Sequence, residues 1–116
     1  MRHQVKGKKL DRLKEPREMM LRNLAASIIM YEKVKTTEAK AKAVKPFLEK
    51  TISIAKVNDL NSRRRLIAIL PQKLAVKKAL EVLSSRYADR KGGYTRIIKM
   101  ANRAGDGAKI VQIELV

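Results

Sequence analysis

"RKGGYTRIIKM", residues 90–100, is where the chain changes its period, and the fold class turns on how it is read. Upstream, apolar residues recur at three- and four-residue spacing, whereas downstream they alternate. Gly92 and Gly93 admit backbone conformations that a side chain would disfavour, and the branched Thr95, Ile97 and Ile98 favour extended backbone. "YTRIIKMA" (94–101) therefore reads as a strand, "NRAGDGA" (102–108) as a hairpin loop, and "AKIVQIELV" (108–116) as its partner. In the partner, Val111, Ile113 and Leu115 share one side and Gln112 and Glu114 the other, as a half-buried strand requires.

Working back toward the N-terminus, the spacing predicts four helices. Pro16 suits a first helical turn, and Met20, Leu21, Leu24, Ala25, Ile28 and Tyr31 form the stripe of helix one. "KVKTT" is too branched to continue it, so Val34–Thr36 is expected as an edge strand or extended link. Thr37 is placed to cap a second helix that buries Val44, Phe47, Leu48, Ile52 and Ala55, with a kink or split at Pro46. Asn58–Ser62 supplies turn and cap chemistry for a short helix, "RRRLIAIL", ended by Pro71. Residues 72–88 form the fourth, with Val76, Ala79, Leu80, Leu83 and Tyr87 inward. The expected fold is α+β, a two-layer helix/sheet domain ordered α-β-α-α-α-β-β over residues 15–116, preceded by a basic arm over 1–14.

Composition bounds the function. The 116 residues suit one core, and Lys and Arg number 28 against 11 acids, a formal charge of +17. Such an excess opposes compaction unless a polyanion relieves it, which makes nucleic acid the first-choice partner. An anionic membrane ranks second, but no lipidation signal or membrane-length apolar run is present. Without cysteine, disulfides, thiolate metal sites and thiol catalysis are excluded. A soluble, cytosolic protein is expected.

No catalytic constellation emerges. His3 lies in the arm without metal-ligand spacing around it, and the acids are dispersed; no metal, cofactor or small-molecule substrate is expected. "RAGDGAK" lacks the ending of a phosphate-binding loop and leads into a strand, although Arg103 and Lys109 are available to a phosphate. The arm carries Arg2, Lys6, Lys8, Lys9, Arg12 and Lys14 against Asp11. Arg63, Arg64 and Arg65 fan over roughly 200° of helix, at about 100° per residue, so they do not all face the core. Lys99 and Arg103 extend the basic character into the terminal hairpin. As phosphate contacts these side chains add affinity and orientation without reading sequence. Tyr94 has two readings, packing on a helix or stacking on an unpaired base.

"MRH", "GKKLDR", "LRNLAASII", "KTTEAKAKA", "RYADRKGGYTRIIK" and "RAGDGAKIVQIELV", in this order and spacing, resemble the bacterial-type large-subunit ribosomal protein seventeen family. The resemblance runs from Met1 to Val116 and is most specific where "GGYTRI" is followed by "RAGD" and a terminal "IELV". It implies a non-enzymatic structural constituent of the cytoplasmic large ribosomal subunit, bound to large-subunit ribosomal RNA near the outer end of the peptide exit tunnel. Implied neighbours are ribosomal proteins thirty-two and twenty-two. Carried over by position, Arg2, His3, Lys8, Lys9 and Arg12 match the family's arm, Arg17 and Arg22 its first helix, Thr36, Thr37 and Lys40 its strand-to-helix turn, and Tyr94 and Arg96 its glycine-led strand. Pro16 and the Lys45–Pro46 pair depart from the family pattern, and no contact is assigned at 14–16 or 42–46. The rival reading of the charge is an independent, non-specific DNA-compacting protein.

Overall fold

The computed structural model describes residues 14–116. The arm expected over 1–14, with Arg2, His3, Lys6, Lys8, Lys9 and Arg12, lies outside the described residues except for Lys14, which opens the first helix.

The chain begins with α1 (Lys14–Tyr31), turns into β1 (Lys33–Thr37), and continues through α2 (Glu38–Val57) and α3 (Leu60–Ile69). Next comes α4 (Lys73–Lys78), which passes through a π-helical segment, Ala79–Leu83, into a last helical turn, α5 (Ser84–Arg86). A hairpin of β2 (Thr95–Asn102) and β3 (Lys109–Leu115) closes the fold. The three strands form one antiparallel sheet in the order β1-β3-β2, so the last strand lies at the centre and β1 is an edge.

Alternation in β3 sets the two layers. Val111, Ile113 and Leu115 are buried beneath the helices, while Gln112 and Glu114 point to the open face. Along α2, Ala41, Val44, Leu48, Ile52 and Ala55 recur at helical spacing and are buried, with Phe47 packed at the edge of the core. Ala25, Ala26, Ile28 and Ile29 of α1 complete the contact between the layers. The buried face of α1 is wider than its expected stripe because both α2 and α4 pack against it.

Four expectations are corrected. Tyr31 is 73% exposed, not on the buried stripe, because α1 ends there and the next residue, Glu32, takes a left-handed φ of 65°. Of the kink or split expected at Pro46, the split does not occur, since helix α2 runs through that residue. Pro46 is exposed, so the Lys42 carbonyl that has no N–H partner there lies on the solvent side, where water can replace it. Helix α3 starts at Leu60 instead of Arg63, since Asp59 accepts the Ser62 N–H at 2.7 Å and starts the helix early. The fourth helix contains the π segment, across which Ala79, Leu80 and Leu83 all remain buried.

Candidate nucleic-acid interface

Directly paired residues on neighbouring strands project to the same side of a sheet, so the register defines what the open face carries. Lys33 pairs with Glu114 and Glu114 with Arg96; Lys35 pairs with Gln112 and Gln112 with Ile98. Lys33, Lys35, Arg96 and Ile98 are exposed. Among the described residues a single carboxylate, Glu114, lies among the three cations and receives Arg96 Nη2 at 3.1 Å. The Gln112 amide and then the Arg96 guanidinium hold the Glu114 carboxyl below its ordinary range. It therefore stays ionised and anchors Arg96, while the two lysines are exposed on the same face.

The same register separates two residues that the sequence places together. Lys99 pairs with Val111, as does Thr36, so both turn to the opposite side from Arg96. There Lys99 borders a shallow cleft with Glu38 and Lys109. Thr37 caps α2, its hydroxyl accepting the Lys40 N–H at 3.4 Å. Thr37 and the Lys40 backbone thus hold the strand-to-helix turn, leaving the Lys40 side chain as the group there with a charge to offer.

In the β2–β3 loop, Arg103 makes a forked contact with Asp106, Nε to Oδ1 at 3.0 Å and Nη2 to Oδ2 at 2.6 Å. Hydrogen bonds from Arg103 and the Ala108 N–H hold the Asp106 carboxyl well below the usual range. Gly107, with φ at 69°, completes the turn by donating its N–H to the Arg103 carbonyl at 2.9 Å. Arg103 braces this loop and is largely neutralised within it.

Arg63, Arg64 and Arg65 are all exposed, between the buried Ser62 and Leu66 that fasten α3 to the core. Arg63 lies beside Lys73 and Lys77 of α4. Arg17 and Arg22 are half-buried on the first half of α1. The expected contacts are thus spread over the open sheet face, the α3 surface and α1, and do not form one continuous cluster on a single element.

Tyr94 belongs to the core. It is 1% exposed, with its ring centroid 5.1 Å from that of Tyr87 at an interplanar angle of 50°. Its N–H donates to Glu49 Oε1 at 2.8 Å and its phenolic oxygen receives Lys56 Nζ at 3.0 Å. Burial pushes the phenol's pKa up, but the Ser53 and Lys56 contacts outweigh it and the net shift is downward. The base-stacking reading of Tyr94 is therefore corrected to packing, because no face of its ring is open to a nucleotide. Gly93, at φ 65°, turns the chain so that Tyr94 enters the core while Arg96 leaves it.

Lys33 and Lys35 join the face without having been among the expected contacts, although the alternation in "KVKTT" places both on one side. Another cluster carries no local signal: Glu32 gathers Lys78 at 3.0 Å and Arg86 at 2.6 Å from residues 46 and 54 positions away.

Among the described residues no group of three or more His, Asp or Glu side chains is placed to hold a metal ion. None of the described helices is long and apolar enough to cross a membrane. Residues 20–116 match the family model described as ribosomal protein L17. The chain is 47% identical over its whole length to a large ribosomal subunit protein bL17 from Hydrogenobaculum sp. (strain Y04AAS1), covering 99% of that relative. It is 52% identical to its counterpart of that name in Wolbachia pipientis subsp. Culex pipiens (strain wPip), again over the whole chain and 83% of the relative. For the Solibacter usitatus (strain Ellin6076) relative of that name the identity is 49%, covering 77% of it.

Proposed function

Because the chain belongs to the ribosomal protein L17 family, we propose that it holds large-subunit ribosomal RNA through phosphate and shape contacts at the outer end of the peptide exit tunnel. As a member of that family it is a structural constituent of the large ribosomal subunit in the bacterial-type cytoplasmic ribosome, and not an enzyme. The observation that carries the RNA reading is the open sheet face, where Lys33, Lys35 and Arg96 are exposed around Glu114 and, among the described residues, no helix covers them.

This face suits an RNA backbone. The narrow major groove of an RNA helix excludes side chains, so recognition runs through phosphates, 2′-hydroxyls and the shallow minor groove. Lysines on one edge strand and a carboxylate-anchored arginine on the other offer separated positive points for such a surface, with Gln112 and Glu114 of the central strand between them. Arg64 and Arg65 on α3, Lys40 at the start of α2, and Arg17 and Arg22 on α1 supply further phosphate contacts around the body. Ribosomal proteins thirty-two and twenty-two are the proposed neighbours, on the strength of the family resemblance along the whole chain.

The deciding experiment is binding of the full chain to large-subunit RNA fragments against duplex DNA across a salt series. The expected result is preference for structured ribosomal RNA with affinity falling steeply as salt rises. Equal affinity for any duplex DNA would favour the DNA-compacting reading, and a response flat in salt would remove phosphate neutralisation. Cross-linking within intact subunits tests the location, which is refuted if the chain joins to proteins remote from the tunnel exit.

A further inference from the structure

Away from the sheet, α3 and the start of the α4 helical run enclose a groove of about 350 Å³. Val76 and Leu80, both nearly buried, form its floor, and Ile67 stands on its wall at 60% exposure. Arg63, Lys73 and Lys77 rim it, against a single Glu81. An aliphatic floor inside a basic rim does not fit either of the two simplest occupants. RNA phosphates could meet the rim cations, but RNA brings no aliphatic group to cover the floor, and the floor has no aromatic or guanidinium plane on which a base could stack. A second copy would bring an equal excess of positive charge to a rim that already carries three cations.

We propose that this groove seats a segment of a neighbouring protein that inserts one or two apolar side chains and flanks them with carboxylates. Charge complementarity selects the acidic flank, because three cations face one acid around the rim. The apolar floor supplies the anchor: exposed aliphatic surface at Ile67 is removed from water only if the occupant is apolar there. Such an occupant rests on the chain's place in the large subunit and does not depend on which face meets RNA.

The test uses intact large subunits. Acetylation of Lys73 and Lys77 is expected to be slowed about tenfold or more in the particle relative to the free protein, since a seated partner excludes water from its contact. A benzophenone side chain in place of Ile67 is then expected to join to a peptide that carries Asp or Glu close to the attachment point. Equal acetylation in both states, an adduct with RNA, an adduct with a peptide free of carboxylates, or protection without a peptide adduct would each overturn the proposal. Ile67→Asp is expected to lose to the wild type in competition for particles while its affinity for RNA fragments stays the same. If that variant lowers the thermal transition of the free protein, the exposed pair Lys73→Glu and Lys77→Glu replaces it with the same expectation for particle competition. Unchanged competition by the variant that folds normally counts against a seated partner.

Discussion

Glu32 and Arg86, 54 residues apart, meet in a forked contact, Nη1 to Oε1 at 2.6 Å and Nη2 to Oε2 at 3.2 Å. The contact joins the end of α1 to the end of the last helix, and Lys78 adds a second cation to the same carboxylate at 3.0 Å. Glu32 also accepts the Leu115 N–H at its carbonyl, 2.8 Å away, so one left-handed residue ties both helices to the central strand.

Stability should depend on the charge of Glu32. Its hydrogen bonds from Arg86 and then Lys78 lower its pKa from 4.5 to about 2. A depressed carboxyl stabilises the fold fully above its unfolded value and loses that contribution as pH falls from about 4.5 through about 2. The side chain is 41% exposed, so solvent screening limits the contribution to about 1 kcal/mol or less. In urea unfolding, Glu32→Gln should be less stable than the wild type at pH 6, and the gap should close toward pH 2. A constant gap would assign the effect to packing.

Tyr94 should matter for folding and not for RNA. Tyr94→Phe removes the hydrogen bonds to Lys56 and Ser53 and should cost about 1 kcal/mol. Tyr94→Ala, which empties a fully buried site, should cost roughly 3–5 kcal/mol. Folded Tyr94→Phe protein should bind RNA fragments like the wild type, and selective loss of binding at unchanged stability would return the ring to the interface.

The open face should declare itself in the salt dependence. Lys33→Gln with Lys35→Gln should lower the slope of log affinity against log salt by roughly 1.5, at about 0.7–0.9 for each phosphate left without its lysine. The thermal transition should hardly move, since both side chains are exposed. Arg103→Gln should leave the slope nearly unchanged, because Asp106 already neutralises that guanidinium. The reverse ranking, with Arg103 dominant, would move the interface to the loop.

Pro46 sits on the solvent side of an unbroken helix, where it removes one backbone hydrogen bond. Pro46→Ala should restore that bond and raise stability by about 1–2 kcal/mol, part of the helix-interior penalty of proline being offset by the freer unfolded chain. Calorimetry would show this as a higher melting temperature. A lower one would mean that proline's restriction of the unfolded state outweighs the missing bond.

Periodicity makes most of the fold legible. The spacing of Val44, Leu48, Ile52 and Ala55 and the alternation of Val111, Ile113 and Leu115 each repeat the geometry of one element, so burial follows from local pattern. Departures from that pattern fall mostly at the ends of elements. Tyr31 continues its stripe in sequence but lies where the helix stops, and Asp59 starts α3 early through a side-chain cap. Pro46 reads as an interruption because proline weakens any helix, yet the buried neighbours on the other face keep this one continuous.

The chain's own residues determined an α+β fold with a terminal hairpin, a strong positive charge and, through "GGYTRI", "RAGD" and "IELV", the family. Tertiary structure alone decided that β3 lies between β1 and β2, which puts Lys33 and Arg96 on opposite flanks of Glu114 and turns Lys99 away from them. It also decided that Tyr94 faces Tyr87 inside the core and that Glu32 meets cations 46 and 54 residues distant. Periodicity and capping act within a few residues, whereas strand order, cross-strand rows and distant ion pairs depend on how the whole chain packs.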